Sequence, residues 1–492
     1  MRICILSSSY QHSTAPFADL DPLPDPARYA PDHDWVHEPL HKATSIPRVR
    51  ALSHQGFDVF LNLCDGAWDE DRAGIEVPQT LERLGQAFTG AGASFYEPSR
   101  DVMKRVCHYA GIETPGFLFA DRAADADRAA DTLRFPMIVK HPSSYNSVGM
   151  RRDARCETPA ALRELVLRNV SAYGGALVEE FIEGREFTVL AAEPAPGEPE
   201  PRAYTPVEFL FPPGETFKHF DLKWVDYQRM STEPVADEGL ARRLREDSRR
   251  FFAALGGRGY GRCDLRMDAS GRLFMLEINP NCSIFYPPDA FGSADLILAR
   301  SPGRHRGFLD HLLDCALRRR DAARPTTGVR YDPARGYGLV ALTALPAGAV
   351  VQAGEERAHH LVTRRHVDRR WDAQKQRWFR QYAWPLTDEV HAMWSDRPED
   401  WQPINHACDP SCWLDGLALV TRRPVAAGEA LTVDYATFCG PDTEPFPCDC
   451  QAPSCRGVIR GSDHLSPALA PYGDHVSDYV RRARAAAGLG GA

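Results

Sequence analysis

The sequence predicts a multidomain chain of mixed α/β and α+β class, with two α/β domains in series and then a smaller β-rich domain. Three observations carry this reading. The 492 residues, 43% of them hydrophobic, exceed what one core organises at roughly 100–200 residues per domain. Apolar strand-like runs alternate with amphipathic helical stretches as far as residue 316, whereas beyond 328 short β-like runs, glycine turns and clustered Cys and His take over. Between them, 318–328 is polar and Arg-rich, carries a proline and lacks a periodic apolar face, so it reads as a linker. The expected division is 1–95, 96–317, the linker 318–328, 329–438, a cysteine-rich 439–462, and a loose helix or tail over 463–492.

Composition narrows the function. A formal net charge of -9 argues against a general polyanion binder, so nucleic acid is not an expected partner. No apolar run reaches the ~18 residues of a bilayer span, and the N-terminus reads as a first strand rather than a signal peptide. The expectation is a soluble, cytoplasmic protein without a membrane partner. Only six lysines (Lys42, Lys104, Lys140, Lys218, Lys223, Lys375) stand against 52 arginines. Surface cations here default to arginine, which makes each retained lysine a candidate for a specific task. Of thirteen cysteines, seven are scattered singly and six fall within 408–455. That crowding suggests a metal rather than disulfides.

Taken in order, the pattern predicts strands at 2–6 and 58–63, helices near 76–86 and 100–111, and a strand at 136–140. A helix at 159–172, a strand at 176–182, a helix at 239–255 and a hairpin at 260–279 follow. In the hairpin Arg262 and Asp264 share one face, with Cys263, Leu265 and Met267 on the other. Glu277 and Asn279 share a face opposite Leu276 and Ile278. A two-residue loop at Ala269–Ser270 would set Arg262 directly across from Glu277, with Asp264 on its diagonal. Two carboxylates and an amide oxygen on one face suit Mg²⁺, which shares its shell with water and phosphate oxygens. A solvated charged hairpin is the alternative.

Upstream, Lys140 ends the apolar strand Pro136–Lys140 and precedes a small hydroxyl- and glycine-bearing loop at 143–150, a form that aims backbone N–H groups at phosphate. Residues 178–187 read as a strand ending in a turn, with alternating acids able to accept from adenine and ribose. In order, the segments 62–71, 99–104, 135–150, 178–187, 220–224 and the hairpin resemble the ATP-grasp carboxylate–amine ligases, closest to the D-alanine–D-alanine ligases, over residues 1 to about 316. The resemblance implies an α/β pre-ATP-grasp domain and an ATP-grasp domain. It implies that Lys104, Lys140 and Lys223 grip the ATP phosphates, that Glu179 and Ile182 sit at the adenine hinge and that Glu186 sits at the ribose. Asp264, Glu277 and Asn279 would hold two Mg²⁺, and Arg262 would stabilise charge at the reacting carboxyl centre.

That chemistry needs these residue types. A carboxylate attacking a γ-phosphate brings like charges together, and metal ions, lysines and an arginine neutralise them and hold the in-line geometry. An amine then attacks the acyl phosphate. The family's substrate-seating positions differ here. Ser7–His12 replaces the Gly-Gly-x-Ser-x-Glu segment, Cys64–Gly66 the His-Gly turn, and Asn281–Tyr286 the Pro-Gly-Met-Thr segment after the metal asparagine. A different amino acid or peptide substrate is therefore expected.

In the last third, Cys448, Cys450 and Cys455 form C-x-C-x4-C, with Cys408 about forty residues upstream. Four thiolates make a closed structural Zn²⁺ site; chance clustering of free thiols is the alternative, and Cys412 and Cys439 read as packing residues. The segments 335–341, 403–412 and 427–435, followed by the cysteine triplet and Arg456, resemble in order the SET-domain methyltransferases with their post-SET zinc segment, over about 328–460. This implies a β-rich pseudoknot that binds S-adenosylmethionine. Gly336, Tyr337, Gly338, Asn405 and His406 would hold the cofactor, and Tyr435 would orient the amine. Phe438 would stack on the adenine or wall the channel. Methyl transfer at a sulfonium needs a neutral amine, which a dry channel favours. Two positions depart from the family, Ser411 and the Gln402–Pro403 region. The Arg- and Trp-rich stretch 342–400 reads as a solvated face over a Trp-filled core, with a peptide-docking surface as the alternative.

Together these readings predict a bifunctional enzyme. It would use ATP to ligate a carboxylate and an amine, and S-adenosylmethionine to N-methylate a lysine-type amine. The rivals are a protein-lysine methyltransferase whose ATP-grasp part only recognises or regulates, and a non-catalytic scaffold. Expected partners are small amino acids or peptides, with a protein lysine as a second class of methyl acceptor and a homodimer left open.

Overall fold

The computed structural model describes every residue except 12, 15–17, 69, 144–149, 196, 334, 354–358, 395–401 and 490–492. It divides into two compact units, Met1–Ala323 and Arg324–Ala492. Among the described residues no helix is long and apolar enough to cross a membrane.

The first unit begins with β1 (Arg2–Ser8), β2 (Asp34–Leu40), α1 (Ser45–Ser53), β3 (Val59–Asn62), α2 (Glu76–Arg83) and β4 (Phe88–Thr89). The strands form a parallel sheet in the order β2-β1-β3-β4. Ile3, Cys4, Ile5 and Leu6 are all buried, because a parallel sheet is covered on both faces and selects an unbroken apolar run.

Next come α3 (Arg100–Tyr109), β5 (Phe117–Ala120), α4 (Asp125–Thr132), β6 (Met137–Lys140), β7 (Arg155–Cys156), α5 (Pro159–Tyr173) and β8 (Ala176–Glu180). The strands pair antiparallel in the order β5-β8-β6-β7. The helix ends follow local chemistry. The Ser99 hydroxyl accepts from Val102 N to start α3. Thr158 accepts from Ala161 N ahead of Pro159, and Gly174 ends α5 with a left-handed φ of 75°.

The unit closes with β9 (Arg185–Ala192), β10 (Arg202–Ala203), β11 (Val207–Leu210), α6 (Phe220–Trp224), β12 (Ser231–Pro234), α7 (Glu238–Ala254), β13 (Tyr260–Met267), β14 (Leu273–Pro280), α8 (Ser293–Ala299) and α9 (Arg304–Ala323). The six strands run β12-β11-β9-β13-β14, with β10 on β9. Helix α7 packs Leu244, Phe251 and Phe252 against Phe187, Val189, Cys263 and Leu265 in one core. At ~1.5–3 kcal/mol per buried apolar side chain, this core fixes the sheet that carries the charged face.

Three expectations need correction. The β13–β14 turn spans 268–272, not two residues, so Arg262 pairs with Asn279 and Asp264 with Glu277. A register slip of two keeps Arg262, Asp264, Glu277 and Asn279 on their expected face. A bulge after Asp264 then turns Leu276 out of the core and onto the charged side. The linker over 318–328 shrinks, because α9 runs through Ala323 and a strand starts at Thr327. Its last turns are amphipathic enough to hold Arg319 against Glu193 and the Phe88 carbonyl.

The second unit comprises β15 (Thr327–Asp332), β16 (Gly336–Ala341), β17 (Val350–Gln352), β18 (His359–Thr363), α10 (Arg364–Arg370), α11 (Ala373–Tyr382), β19 (Trp384–Pro385) and β20 (Val390–Trp394). It continues with β21 (Asn405–His406), β22 (Cys412–Asp415), β23 (Ala418–Thr421), β24 (Thr432–Val433), β25 (Phe446–Pro447), β26 (Val458–Ile459) and α12 (Asp478–Ala486). These make small sheets, β15-β16, β17-β23-β22, β18-β20-β19, β25-β26 and the parallel pair β21-β24. Leu339, Ala341, Val351, Cys412, Leu419, Leu431 and Val433 form the main core. In the 342–400 stretch Arg364, Arg365, Arg369 and Arg370 are exposed as expected. The core beneath is Val367, Phe379 and Met393 rather than tryptophan; Trp371 only borders it, Trp378 is exposed and Trp384 half-buried. Trp394's side chain lies outside the described residues.

The C-terminal stretch is not a loose tail. Leu469, Tyr472, Val476 and Val480 bury themselves against Ala436, and Ser477 N donates to the Thr437 carbonyl. Four apolar residues spaced through a Pro- and Ala-rich stretch suffice for docking, although they are too few to give a clear helical period.

Candidate functional sites

In the first unit a cavity of about 950 Å³ is lined by Lys140, Glu179, Ile182, Glu186, Lys223, Arg262, Asp264, Glu277 and Asn279. Its centre is the charged face of β13 and β14. Arg262 forks onto Asp264, with Nε 3.2 Å from Oδ1 and Nη2 2.9 Å from Oδ2. The Thr188 hydroxyl donates to Asp264 Oδ1 at 2.9 Å, and the Asn279 amide reaches Asp264 at 3.3 Å and Glu277 at 3.5 Å. Burial alone would raise the Asp264 pKa, but Arg262 and Lys218 hold it at about 2. Glu277 is likewise kept ionised against burial by Arg100 and Lys140. Arg100 Nη1 lies 2.8 Å from Glu277. Two ionised carboxylates and an amide oxygen within reach of one another are hard donors, and they fit Mg²⁺.

The lysines are arranged differently from expectation. Glu179 is fully buried and serves both Lys104 and Lys140, the latter at 2.6 Å. Its side chain therefore holds ammonium groups, and a hinge role is left to the backbone around Ile182. Lys104 stands behind the cavity wall, donating also to Thr114 Oγ1 at 2.9 Å and the Leu276 carbonyl at 3.0 Å. Lys223 lines the cavity itself. Burial, with Arg262 and Lys218 nearby, pushes its pKa down to about 7. Glu186 Oε2 accepts from Arg266 at 2.9 Å, while Oε1 is 3.3 Å from Lys218. Residues 144–149 of the expected phosphate loop, and His12, lie outside the described residues.

The same cavity is also lined by Asp21, which the sequence reading missed, and by Asp65 and Tyr286 from the segments that depart from the family's substrate-seating positions. Asp21 accepts hydroxyl hydrogen bonds from Tyr10 and Tyr286, and burial together with Asp65 raises its pKa. Asp65 is held 2.6 Å from the fully buried Arg72, which also binds Glu70 at 2.6 Å. Lys42 Nζ donates to the Ala67, Trp68 and Glu70 carbonyls at 2.9, 3.0 and 2.5 Å. This clamps the 65–72 loop from its other side.

In the second unit a cavity of about 1610 Å³ is lined by Asn405, His406, Tyr435, Phe438, Trp384 and Phe446 among others. The parallel pairing of β21 with β24 places Asn405–His406 beside Thr432–Val433, and hence beside Tyr435. Tyr435 N donates to His406 Nδ1 at 3.2 Å, and the Tyr435 hydroxyl donates to the Ile404 carbonyl at 2.7 Å. Burial and the Arg456 charge push the His406 pKa down to about 4, so the ring is neutral and carries its proton on Nε2, 3.3 Å from Cys408 Sγ. The rings of Tyr435 and Phe438 are 5.4 Å apart. Gly336 has φ +75°. Gly338 allows close approach, since a Cβ there would collide with the Asn405 amide that donates to the Tyr337 carbonyl at 3.3 Å. The Tyr337 side chain is half exposed against Tyr331, away from the cavity wall.

Cys408, Cys448, Cys450 and Cys455 present four sulfurs within 4.8 Å of one another. Cys408 and Cys448 are 4.0 Å apart, close to the ~3.8 Å edge of a tetrahedron with ~2.3 Å Zn–S bonds. Backbone N–H groups of Cys408 and Arg456 point at Cys450 and Cys408 sulfurs at 3.4 Å each, as thiolates require. The donor set fits Zn²⁺. Cys412 and Cys439 are buried elsewhere.

Residues 106–284 match the family model of the D-Ala–D-Ala ligase C-terminus, and residues 336–436 that of the SET domain. Over 240 residues the chain is 30% identical to a D-alanine–D-alanine ligase of Ralstonia pickettii, covering 48% of this chain and 69% of that one. The chain belongs to the D-alanine–D-alanine ligase family. It carries a SET domain in addition. An uncharacterized protein, y4sG, of Sinorhizobium fredii is 33% identical over 265 residues, 52% of this chain and 74% of its own. Among solved structures, the D-alanine–D-alanine ligase from Bacillus anthracis has a TM-score of 0.48 at 17% identity, covering 66% of this chain and all of that one.

Within the ligase unit, the sequence signals for Arg100 and Lys218 were present but unread. Arg100 opens the helix that carries Lys104, and Lys218 is one of the six retained lysines. Asp21 had no local signal, because it meets Tyr10 and Tyr286 only through the tertiary fold, whereas those two tyrosines lie in the departing segments Ser7–His12 and Asn281–Tyr286.

Proposed function

We propose that the chain is a bifunctional enzyme. The ligase unit would activate a carboxylate with ATP and join it to an amine, and the SET unit would methylate an amine nitrogen with S-adenosylmethionine. What supports the first reaction above all is the convergence of Asp264, Glu277, Asn279 and Arg262 in one cavity with Lys140 and Lys223. ATP and Mg²⁺ would supply the transferable phosphoryl group and its charge neutralisation. Around them, Lys140 and Lys223 bind phosphate oxygens and Arg262 holds the reacting carboxylate in line. The products are ADP, phosphate and an amide. Because the acid end of the cavity is built from Asp21 and Asp65, the substrate is an amino acid or peptide whose ammonium group faces them, and not one seated as in the D-alanine ligases.

For methyl transfer, the Tyr435 hydroxyl donates to Ile404 and keeps oxygen lone pairs to accept from the attacking N–H. Phe438, Trp384 and Phe446 exclude water, which favours the neutral amine. Zn²⁺, held by the four cysteines, would have a structural role. Incubation with amino-acid pools, ATP–Mg²⁺ and isotopically labelled S-adenosylmethionine, followed by mass analysis, tests both halves. A ligated product and a methylated amine are expected. Absence of ADP formation with every pool sinks the ligase reading, and methylation confined to unrelated proteins sinks action on a small molecule.

A further inference from the structure

Four of the six lysines in this arginine-dominated chain, Lys104, Lys140, Lys218 and Lys223, gather at the ligase cavity or directly behind it. Lys218 has no part in the ligation chemistry assigned to Lys140, Lys223 and Arg262. Its side chain is 14% exposed and lines the cavity. The ammonium lies 3.5 Å from the centroid of the Phe209 ring and 3.3 Å from Glu186 Oε1. The other oxygen of Glu186 is taken by Arg266, which also donates to the Thr216 and Gly184 carbonyls at 3.0 and 3.1 Å and so is anchored to protein. One carboxylate therefore faces two cations, and this corner of the cavity is net positive.

The backbone at Lys218 is held firmly. His219, buried, accepts from Leu222 N at 3.3 Å through Nδ1 and meets Glu215 at 3.1 Å through Nε2. Lys218 meets Glu186 on β9, two residues from Thr188, which pairs with Asp264 across β9 and β13, so it stands on the stretch of cavity wall that joins the ribose carboxylate to the metal carboxylates. A strand of phosphates running from ribose to metal must pass it. Lysine suits a point contact to phosphate oxygen, and in a chain that defaults to arginine its retention needs a specific reason.

We propose that Lys218 is a nucleotide-binding residue that holds the α-phosphate of ATP between Glu186 and Asp264. The inference rests on the ATP-binding reading above. Lys218 leaves Glu186 for the phosphate when nucleotide enters, and the freed Glu186 oxygen accepts from the ribose hydroxyls. A lysine that served only to fix Glu186 would affect the nucleoside and the nucleotides alike, whereas a phosphate contact separates them.

Calorimetric titration of the full chain with ATP–Mg²⁺, ADP–Mg²⁺ and adenosine makes that separation. Lys218→Met keeps the aliphatic stem over Phe209 and removes the charge. The expected result is about a tenfold loss of ATP and ADP affinity, the scale of one charge-assisted hydrogen bond, with adenosine affinity unchanged. Lys218→Arg, which stands in should the Met variant misfold, is expected to keep most of the nucleotide affinity while leaving adenosine alone. Unchanged nucleotide affinity in Lys218→Met, or equal losses for adenosine and ATP, overturns the proposal while the ligase reading survives. No nucleotide binding by the wild-type chain overturns both.

Discussion

Lys140 and Glu179, diagonal neighbours on the paired strands β6 and β8, meet with Nζ 2.6 Å from Oε2 inside the protein. Lys104 binds the other oxygen. The ammonium groups outweigh burial and bring the Glu179 pKa to about 2. The folded pKa lies below the unfolded value of ~4.3, so this stabilisation is complete above pH ~4.5 and fades as pH falls toward 2. Glu179→Gln is expected to cost roughly 3 kcal/mol at neutral pH by stranding two buried cations. It should also flatten the acid limb of the urea-midpoint profile.

Asp264→Asn removes one ionised ligand and the partner of Arg262. ADP formation is expected to fall by about 10²-fold or more, with methyl transfer unaffected. Parallel assays of both activities on one preparation check it, and a matching fall in methylation would contradict it.

Lys223 is half neutral near pH 7 in the free protein. Phosphate oxygens favour its charged form, so nucleotide binding above pH 7 should take up a proton. ATP affinity should then weaken as pH rises from 7 to 9. Calorimetry in two buffers of different ionisation enthalpy reads the uptake directly, and Lys223→Met should abolish it.

Tyr435→Phe removes the hydroxyl bonded to the Ile404 carbonyl. Methyl transfer should drop by about 10²-fold while zinc content stays that of the wild type, which metal analysis and a labelled-methyl assay determine together.

Cys450→Ser removes one of four clustered sulfurs. Hydrogen exchange should accelerate at Cys408, Arg456 and Gly457, whose N–H groups point at these sulfurs. Exchange in β13 and β14 should not change.

How much of this was legible in the sequence depends on how local the determinant is. In the hairpin at 260–279 alternation fixes the common face of Arg262, Asp264, Glu277 and Asn279, yet not the register, since neither the five-residue turn nor the bulge after Asp264 leaves a mark on the alternation. Lys140 and Glu277 announce themselves by context. The partnership of Glu179 with two lysines does not, because Lys104 sits on a helix some seventy residues away. In the second unit, spacing alone indicated the four sulfurs. The outward turn of Tyr337 followed from β15 pairing across Tyr331, a contact that no local pattern encodes.

The carboxyl-terminal docking has a practical consequence for anyone expressing this protein. Val476, Ser477, Asp478, Tyr479, Arg481 and Arg482 supply part of the wall of the cavity that holds Asn405 and Tyr435, and Tyr472 reaches Asp434, next to Tyr435, at 3.3 Å. A stop codon placed after the cysteine triplet to trim an unpromising Ala- and Pro-rich end would breach that wall.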